Sequence, residues 1–346
     1  MVWVLVILLI LALLLFVGCY FIFRALIWRK SGKAPPKIVT FFIKGSADSE
    51  EFIADQAAAV ETINAMAKKR VALKTRDGDQ LIAYIAEPKI ANDRVIIGCH
   101  GMNCNGRREF CFFAPDFVDK GYTVILPDHR GSGESDGSFM GYGTHESKDT
   151  FLWVKYAKEH YPGKHIFLIG VSMGAATVLM MSSKRGIQDV DGIIADCAYT
   201  NARDEFSYQL KTSFHLPDFP IMQICNLYCR FICGYEFRDA SPIDAVKKAH
   251  APILFIHGTA DALVPLYMQE QLYEECGTSL PENKRKEKFG VKVEGAPHAR
   301  SYYTNPELYS RAVETFITHV LRPRTLEITY DEPAEDAVEI EEAPME

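Results

Sequence analysis

Ser172 stands between two glycines in the run Gly170-Val171-Ser172-Met173-Gly174, where the apolar stretch HIFLI gives way to the helix-forming AATVLMMSS. A serine hydroxyl is a weak nucleophile unless a base takes its proton and a third group holds that base in orientation. A strand-to-helix turn flanked by glycines lifts such a hydroxyl out of a sheet, because small residues let the chain turn sharply and the helix approach closely. At the start of that helix, free N–H groups favour negative charge developing on a reacting carbonyl. Read structurally, the same run is only a tight turn, so the assignment needs its partners.

The partners occur later in the chain, acid first and histidine second, as this arrangement requires. Asp261 lies in HGTADALVP just past the apolar run PILFIHG, and His298 lies in EGAPHAR just past the last apolar run. Ser172, Asp261 and His298 therefore all fall in loops after strands, on one edge of a sheet. His257, His129 and His145 are rival bases; His100, in CHGMNCN, is read as shaping the adjacent loop. Asp196 is the rival acid. Two backbone N–H groups should hold the oxyanion: Met173, next to the serine, and Met102 in the loop after RVIIGCH, with Asn103 second for that place.

The elements that must position these residues read as follows. A hairpin, VALKT and LIAYIAE around Asp77-Gly78, precedes six strand candidates at 94–100, 122–128, 164–170, 191–197, 252–258 and 287–295. Helical stretches around 108–119, 145–160, 173–185, 242–249, 266–276 and 306–320 separate them. Apolar runs alternating with helices describe an α/β architecture, a mostly parallel eight-stranded sheet with helices on both faces. Residues 199–240 break the alternation; Pro217, Pro220 and the aromatic-rich IMQICNLYCRFICGYEF predict a helical lid over the carboxyl ends of the strands. Within it, Cys225, Cys229 and Cys233 form a small apolar packing stripe, and no metal-ligand spacing occurs.

The N-terminus has another purpose. Met1 to Phe23 carries no charged side chain, and a helix of about 23 residues spans roughly 34 Å, enough for a bilayer core. It lacks the basic n-region and small-residue cleavage site of a secretory signal, and apolar sequence continues past the lipoprotein-like Phe16-Val17-Gly18-Cys19, so an uncleaved transmembrane anchor over 1–28 fits best. Tyr20 and Trp28 would lie at the membrane interface. Arg24, Arg29, Lys30, Lys33, Lys37 and Lys44 follow the span and no base precedes it, which places the catalytic domain in the cytoplasm. Nine cysteines without framework spacing suit a reducing compartment. Residues 29–69 read as a juxtamembrane linker and a helix over 49–69.

The formal charge of −7 comes from the last stretch: TLEITYDEPAEDAVEIEEAPME holds nine acids and no base, an acidic disordered tail over 323–346. The remainder is close to neutral, with no basic excess for nucleic acid. The cluster Lys284, Arg285, Lys286 and Lys288 reads as a solvated loop.

Together CHGMNCN, PDHRGSGESDG, GVSMGAATVLM, FIHGTADALVP and GAPHARSY resemble the α/β-hydrolase superfamily, most of all membrane-anchored bacterial serine hydrolases with a short cap, over residues 70–322. The resemblance implies Ser172 as nucleophile, Asp261 as acid, His298 as base and Met102 and Met173 as oxyanion donors, with Asp128-His129-Arg130-Gly131 a structural loop beside the site. No cofactor is implied. The expected activity is cleavage of a small-molecule carboxylic ester or thioester through an acyl-enzyme. A peptidase with the same triad, binding a free amino terminus through Asp204, Glu205 or Glu236, is the alternative, and a non-catalytic scaffold the second.

Overall fold

The computed structural model describes residues 2–29 and 49–322. The linker at 31–47 and the acidic tail lie outside the described residues.

Eight strands form one sheet in the order β1-β2-β4-β3-β5-β6-β7-β8. They are β1 (Lys69–Lys74), β2 (Gln80–Ala86), β3 (Arg94–Cys99), β4 (Thr123–Pro127), β5 (His165–Val171), β6 (Gly192–Asp196), β7 (Ile253–Gly258) and β8 (Lys288–Val293). β1 and β2 form the antiparallel hairpin, β2 runs antiparallel to β4, and the pairs from β4 onward are parallel. β4, β6 and β7 are buried at every position, which is why they read as unbroken apolar runs. The register brings carboxyl ends together: Gly170 on β5 lies opposite Cys99 on β3, and Val171 opposite Asp196 on β6.

Helices cover both faces. Leu168, Ile193 and Phe255 face the side of α4 (Glu146–His160), α5 (Met173–Met181) and α8 (Leu266–Glu275). Phe167, Ile194 and Leu254 face α3 (Phe113–Asp119) and α9 (Pro306–Val320). α9 begins with Pro306 at its first position and Asn305 capping Leu308 N, then buries Tyr309, Val313, Phe316 and Ile317 at helical spacing. α2 (Glu50–Met66) starts at Ser49, whose hydroxyl accepts from Phe52 N. It packs on the domain: Phe52 meets Tyr303 edge-on at 4.8 Å, and Arg107 donates to Asn64.

The expected helix over 108–119 is broken. A single turn, Gly106–Glu109, precedes α3. Pro115 has no N–H and would clash with a preceding helical turn, so the helix restarts two residues before it. Gly106 is required where it stands, because a Cβ there would lie 2.7 Å from Pro127 O.

The insertion between β6 and β7 carries α6 (Ala202–Thr212) and α7 (Ile221–Tyr228). The long helix expected there ends early: Cys229–Cys233 widens into a π-type turn that stops at Gly234, φ +73°. Cys225, Cys229 and Cys233 are all buried. Cys225 donates to Cys19 O on α1 (Val2–Leu26), a helix long and apolar enough to cross a membrane. Its first four turns are exposed, whereas Cys19 and Phe23 pack on α7, with the Tyr228 hydroxyl donating to Phe16 O at 3.0 Å. Tyr20 and Trp28, expected at the membrane interface, also touch the domain. Tyr20 meets the Tyr228 ring at 5.5 Å, and Trp28 forms a β-bridge with Phe139.

Below the insertion, Arg130 is buried and paired bidentately with Asp149 at 2.6 and 2.8 Å. Removing one partner leaves a buried charge unpaired. Arg130→Met should therefore lower stability by about 3–5 kcal/mol, seen as a lower midpoint in thermal unfolding.

Candidate active site

The elbow forms because β5 must pass directly into α5. A Cβ at Gly170 would lie 2.2 Å from Gly174 O, and one at Gly174 would lie 1.8 Å from Cys99 O. Only glycine permits both approaches. Ser172 between them holds φ +55° and ψ −118°, a strained conformation for a residue with a side chain. That strain turns its hydroxyl away from the sheet and towards the loops after β7 and β8.

From those loops come Asp261 and His298. Nε2 of His298 lies 2.9 Å from Ser172 Oγ, and Nδ1 lies 2.7 Å from Asp261 Oδ2. An ionised carboxylate can only accept, so Nδ1 carries the proton and Nε2 presents its lone pair to the serine hydroxyl. The structure thus brings the three sequence-derived residues together in one hydrogen-bonded chain. Asp261 is fixed from its other oxygen, which accepts from Leu263 N and Val264 N, each at 2.9 Å. Burial would raise its pKa, but the charge and hydrogen bonds of His298 and His257 outweigh this and hold the carboxyl well below the usual range.

His257 is a neighbour of the acid rather than a base. Its Nε2 lies 2.8 Å from Val264 O and 3.3 Å from Asp261 Oδ2, and its Nδ1 is buried without a partner. Asp196, the rival acid, makes its side-chain hydrogen bond to Ser301 Oγ at 2.9 Å rather than to an imidazole. Burial pushes it up to about 7, with the Ser301 bond opposing. Its main-chain oxygen accepts from Ser172 N and so helps hold the elbow.

His100 is held by main-chain bonds in the adjacent loop. His129 N donates to its Nε2 at 2.9 Å, which leaves Nδ1–H to donate to Gly101 O at 2.7 Å. Gly101 N donates to Glu109 Oε2 at 2.8 Å, and a Cβ at Gly101 would lie 3.3 Å from Ser172 Cβ. The loop is therefore pressed against the serine. The main-chain N–H groups of Met102 and Met173 donate to no described residue, leaving both available to an oxyanion. The Asp128 loop is structural: its carboxylate accepts from Gly106 N and Glu134 N.

Ligand atoms of Cys197, Asp261 and His298 lie within 4.8 Å of one another. Both His298 nitrogens are already engaged, and burial pushes the Cys197 thiol well up and so disfavours the thiolate a cation would need. A small cavity of about 40 Å³ under Ala299, between Val171, Asp196 and Tyr309, has room for a few waters but not for an acyl chain. On the other side Met102, Met173, Tyr142 and Phe206 join one packed apolar cluster with the insertion and the end of α1. Of the acids considered for an amino terminus, Asp204 is hydrogen-bonded to Asn201 and Glu236 is paired with Arg230 and Arg238. Glu205 is buried, which pushes it up to about 8 and keeps it protonated at neutral pH.

Sequence reasoning missed two contacts, Glu109 on the Gly101 N–H and Arg29 on Asn103. Neither has a motif, since each depends on a distant segment folding back.

Comparison with known proteins follows the same lines. A family model for the alpha/beta hydrolase fold matches residues 94–223. YqkD of Bacillus subtilis, an uncharacterised protein, is 30% identical over 263 residues, covering 75% of this chain and 82% of that protein. The lysophosphatidylserine lipase ABHD12 of Danio rerio is 27% identical over 174 residues, 49% of this chain but 43% of the lipase. Among solved structures, the Pyrococcus furiosus esterase Pf2001 superposes with a TM-score of 0.58 at 23% identity, over 72% of this chain and 90% of the esterase.

The raised pKa of Asp196 has a consequence for stability. Its folded value of about 7 lies above the roughly 3.9 of an unfolded aspartate, so folding takes up a proton between these pH values. Its contribution is full below about pH 4 and is lost as pH rises through 7. Asp196→Asn should flatten that part of the stability–pH curve, making the variant relatively more stable at pH 8 than at pH 5 in thermal unfolding.

Proposed function

We propose that this chain, which belongs to the α/β-hydrolase superfamily, is a serine hydrolase acting on carboxylic esters or thioesters by two-step acyl transfer. The observation that carries the reading is the continuous hydrogen-bonded chain from Ser172 Oγ through His298 to Asp261. In the first step His298 Nε2 takes the serine proton as Oγ attacks the substrate carbonyl carbon. The carbonyl oxygen gains negative charge and is held by the Met102 and Met173 N–H groups. The tetrahedral adduct collapses, His298 gives its proton to the leaving oxygen or sulfur, and Ser172 is left acylated. Water then attacks, losing a proton to His298, and the acid is released with Ser172 regenerated. Asp261 stays ionised throughout and stabilises the imidazolium.

The substrate is proposed to be a lipid-like acyl ester. The apolar cluster from Met173 and Met102 through Phe206 to Cys19 and Phe23 makes the side of the site that faces the N-terminal helix apolar, which suits an acyl chain over a polar one. The likeness to a lysophosphatidylserine lipase over half of the chain favours a single-chain lipid ester. In this reading α1 anchors the protein in a bilayer, and α6 and α7 form a lid. The basic residues after the span favour a cytoplasmic catalytic domain.

Ser172→Ala should abolish labelling by a fluorophosphonate probe and lower kcat/KM on short acyl esters by at least about 10³-fold. Asp261→Asn should cost about 10³–10⁴-fold in kcat, and Asp196→Asn less than about tenfold, since it would act only through packing. A larger loss for Asp196→Asn than for Asp261→Asn would reassign the acid.

A further inference from the structure

The end of the N-terminal helix does more than leave the membrane. Beyond Leu26 the chain pairs with the loop after β4: Arg29 N donates to Ser138 O at 2.7 Å, and Met140 N donates to Ile27 O at 3.0 Å. This pairing drives Arg29 into the domain, where only 6% of it is exposed. Its Nη1 donates to Ala25 O and Trp28 O at 2.8 and 2.9 Å, closing the last turn of the helix. Its Nε donates to Asn103 Oδ1 at 2.7 Å, although 74 residues separate the two in the chain.

Asn103 follows Met102, the proposed oxyanion donor, and holds φ +60°. Asparagine adopts that left-handed conformation more readily than most side chains, so the turn is local and its side chain is left to bond outwards. The loop is clamped on the other side by Glu109 and His100, which hold Gly101 N and Gly101 O. The Met102 N–H thus lies between two clamps, one built from the hydrolase domain and one from the N-terminal segment. A further contact runs the same way: the Tyr142 hydroxyl donates to Leu26 O at 3.1 Å and lies 3.2 Å from Met102 Sδ.

Capping the helix end accounts for Nη1 but not for the Nε bond to Asn103. Among the described residues no acid forms an ion pair with Arg29, and its Nη2 is buried without a partner. Nε and Nη2 point the same way from the guanidinium, and Asn103 offers its one amide oxygen to that edge. A buried cation with an unsatisfied donor is expensive to retain.

We propose that Arg29 is a positioning residue for the oxyanion loop, so that the docked end of the N-terminal helix is part of the catalytic apparatus and turnover depends on that docking. The inference rests on the serine-hydrolase reading above. Membrane attachment and catalytic geometry are then one structural unit: a change in how the helix sits against α7 reaches Met102 through Arg29 and Asn103.

The test uses the full chain in lipid nanodiscs with a water-soluble aryl ester. Arg29→Met keeps the aliphatic stem and deletes the donors; Asn103→Gly tolerates the positive φ and deletes the acceptor. Each should lower kcat by about ten- to a hundredfold, while KM moves less than about threefold. The double variant should be no slower than the worse single one, because both remove the same contact. Arg29→Lys, which can reach Asn103 with one donor, should recover part of the loss. Amide hydrogen exchange in residues 101–105 should rise at least about fivefold in Arg29→Met. Arg29→Met turnover within about twofold of wild type, losses that multiply in the double variant, or unchanged exchange at 101–105 would each overturn the proposal. Ser172→Ala runs in parallel. If it keeps wild-type turnover, the serine-hydrolase reading fails, and the Arg29 proposal, whose loop would then serve no oxyanion, falls with it. A Ser172-dependent activity indifferent to Arg29 refutes the proposal alone.

Discussion

A single imidazole holds the site together. His298 contacts Ser172 Oγ at 2.9 Å and Asp261 Oδ2 at 2.7 Å, and both distances must be short at once for a proton to pass while the ring stays oriented. That demand sets the tolerance for everything around it. The three residues come from loops after β5, β7 and β8, so an error in the register of any parallel pair would open the chain. Burial of the strands fixes that register, because a slip of one residue would send every side chain to the opposite covered face, where the close packing has no matching space for it. The core and the chemistry are linked through strand alignment.

Close approach imposes the second constraint. The elbow works because two glycines let α5 start almost on top of β3, with Ser172 forced to a positive φ between them. The strain is sustained by surrounding bonds, among them Ser172 N to Asp196 O. Two aspartates that the fold brings beside Ser172, Asp196 through its main chain and Asp261 through His298, then diverge in charge for local reasons. Asp261 collects two N–H bonds and two imidazoles and stays ionised; Asp196 has one hydroxyl and is pushed up to about 7. The same residue type serves two purposes because hydrogen bonding outweighs desolvation in one place and not in the other.

On the outer side of the site, the insertion and the N-terminal helix share one apolar cluster. The first turns of α1 are exposed and the last ones are buried against α7. Apolar residues that read as a uniform bilayer-spanning run therefore divide their surface between two environments. One cysteine of the insertion meets this contact: Cys225 Sγ lies 3.6 Å from Cys19 O, so a small side chain there suits the approach of α7 to α1.

Much of this was legible in the sequence. The eight strands could be read because buried parallel strands are continuous apolar runs, and the order Ser172, Asp261, His298 could be read because each follows such a run. The Gly170 and Gly174 flanks are local steric requirements and so are written locally. Other features were not written that way. Whether Asp196 or Asp261 meets the imidazole depends on loop paths after β6 and β7, and short motifs do not encode loop paths. The break before α3 was readable from Pro115 once its position in the first turn was known, whereas the widening after Tyr228 was not. The placement of Tyr20, Trp28 and Arg29 against the domain lay beyond sequence reasoning altogether. The sequence determined the periodicities, the elbow and which residues stand as candidates for the chemistry, because those depend on neighbours along the chain. Tertiary structure alone decided which distant atoms share a hydrogen bond, because contacts such as Arg29 with Asn103 exist only after segments far apart have folded onto one surface.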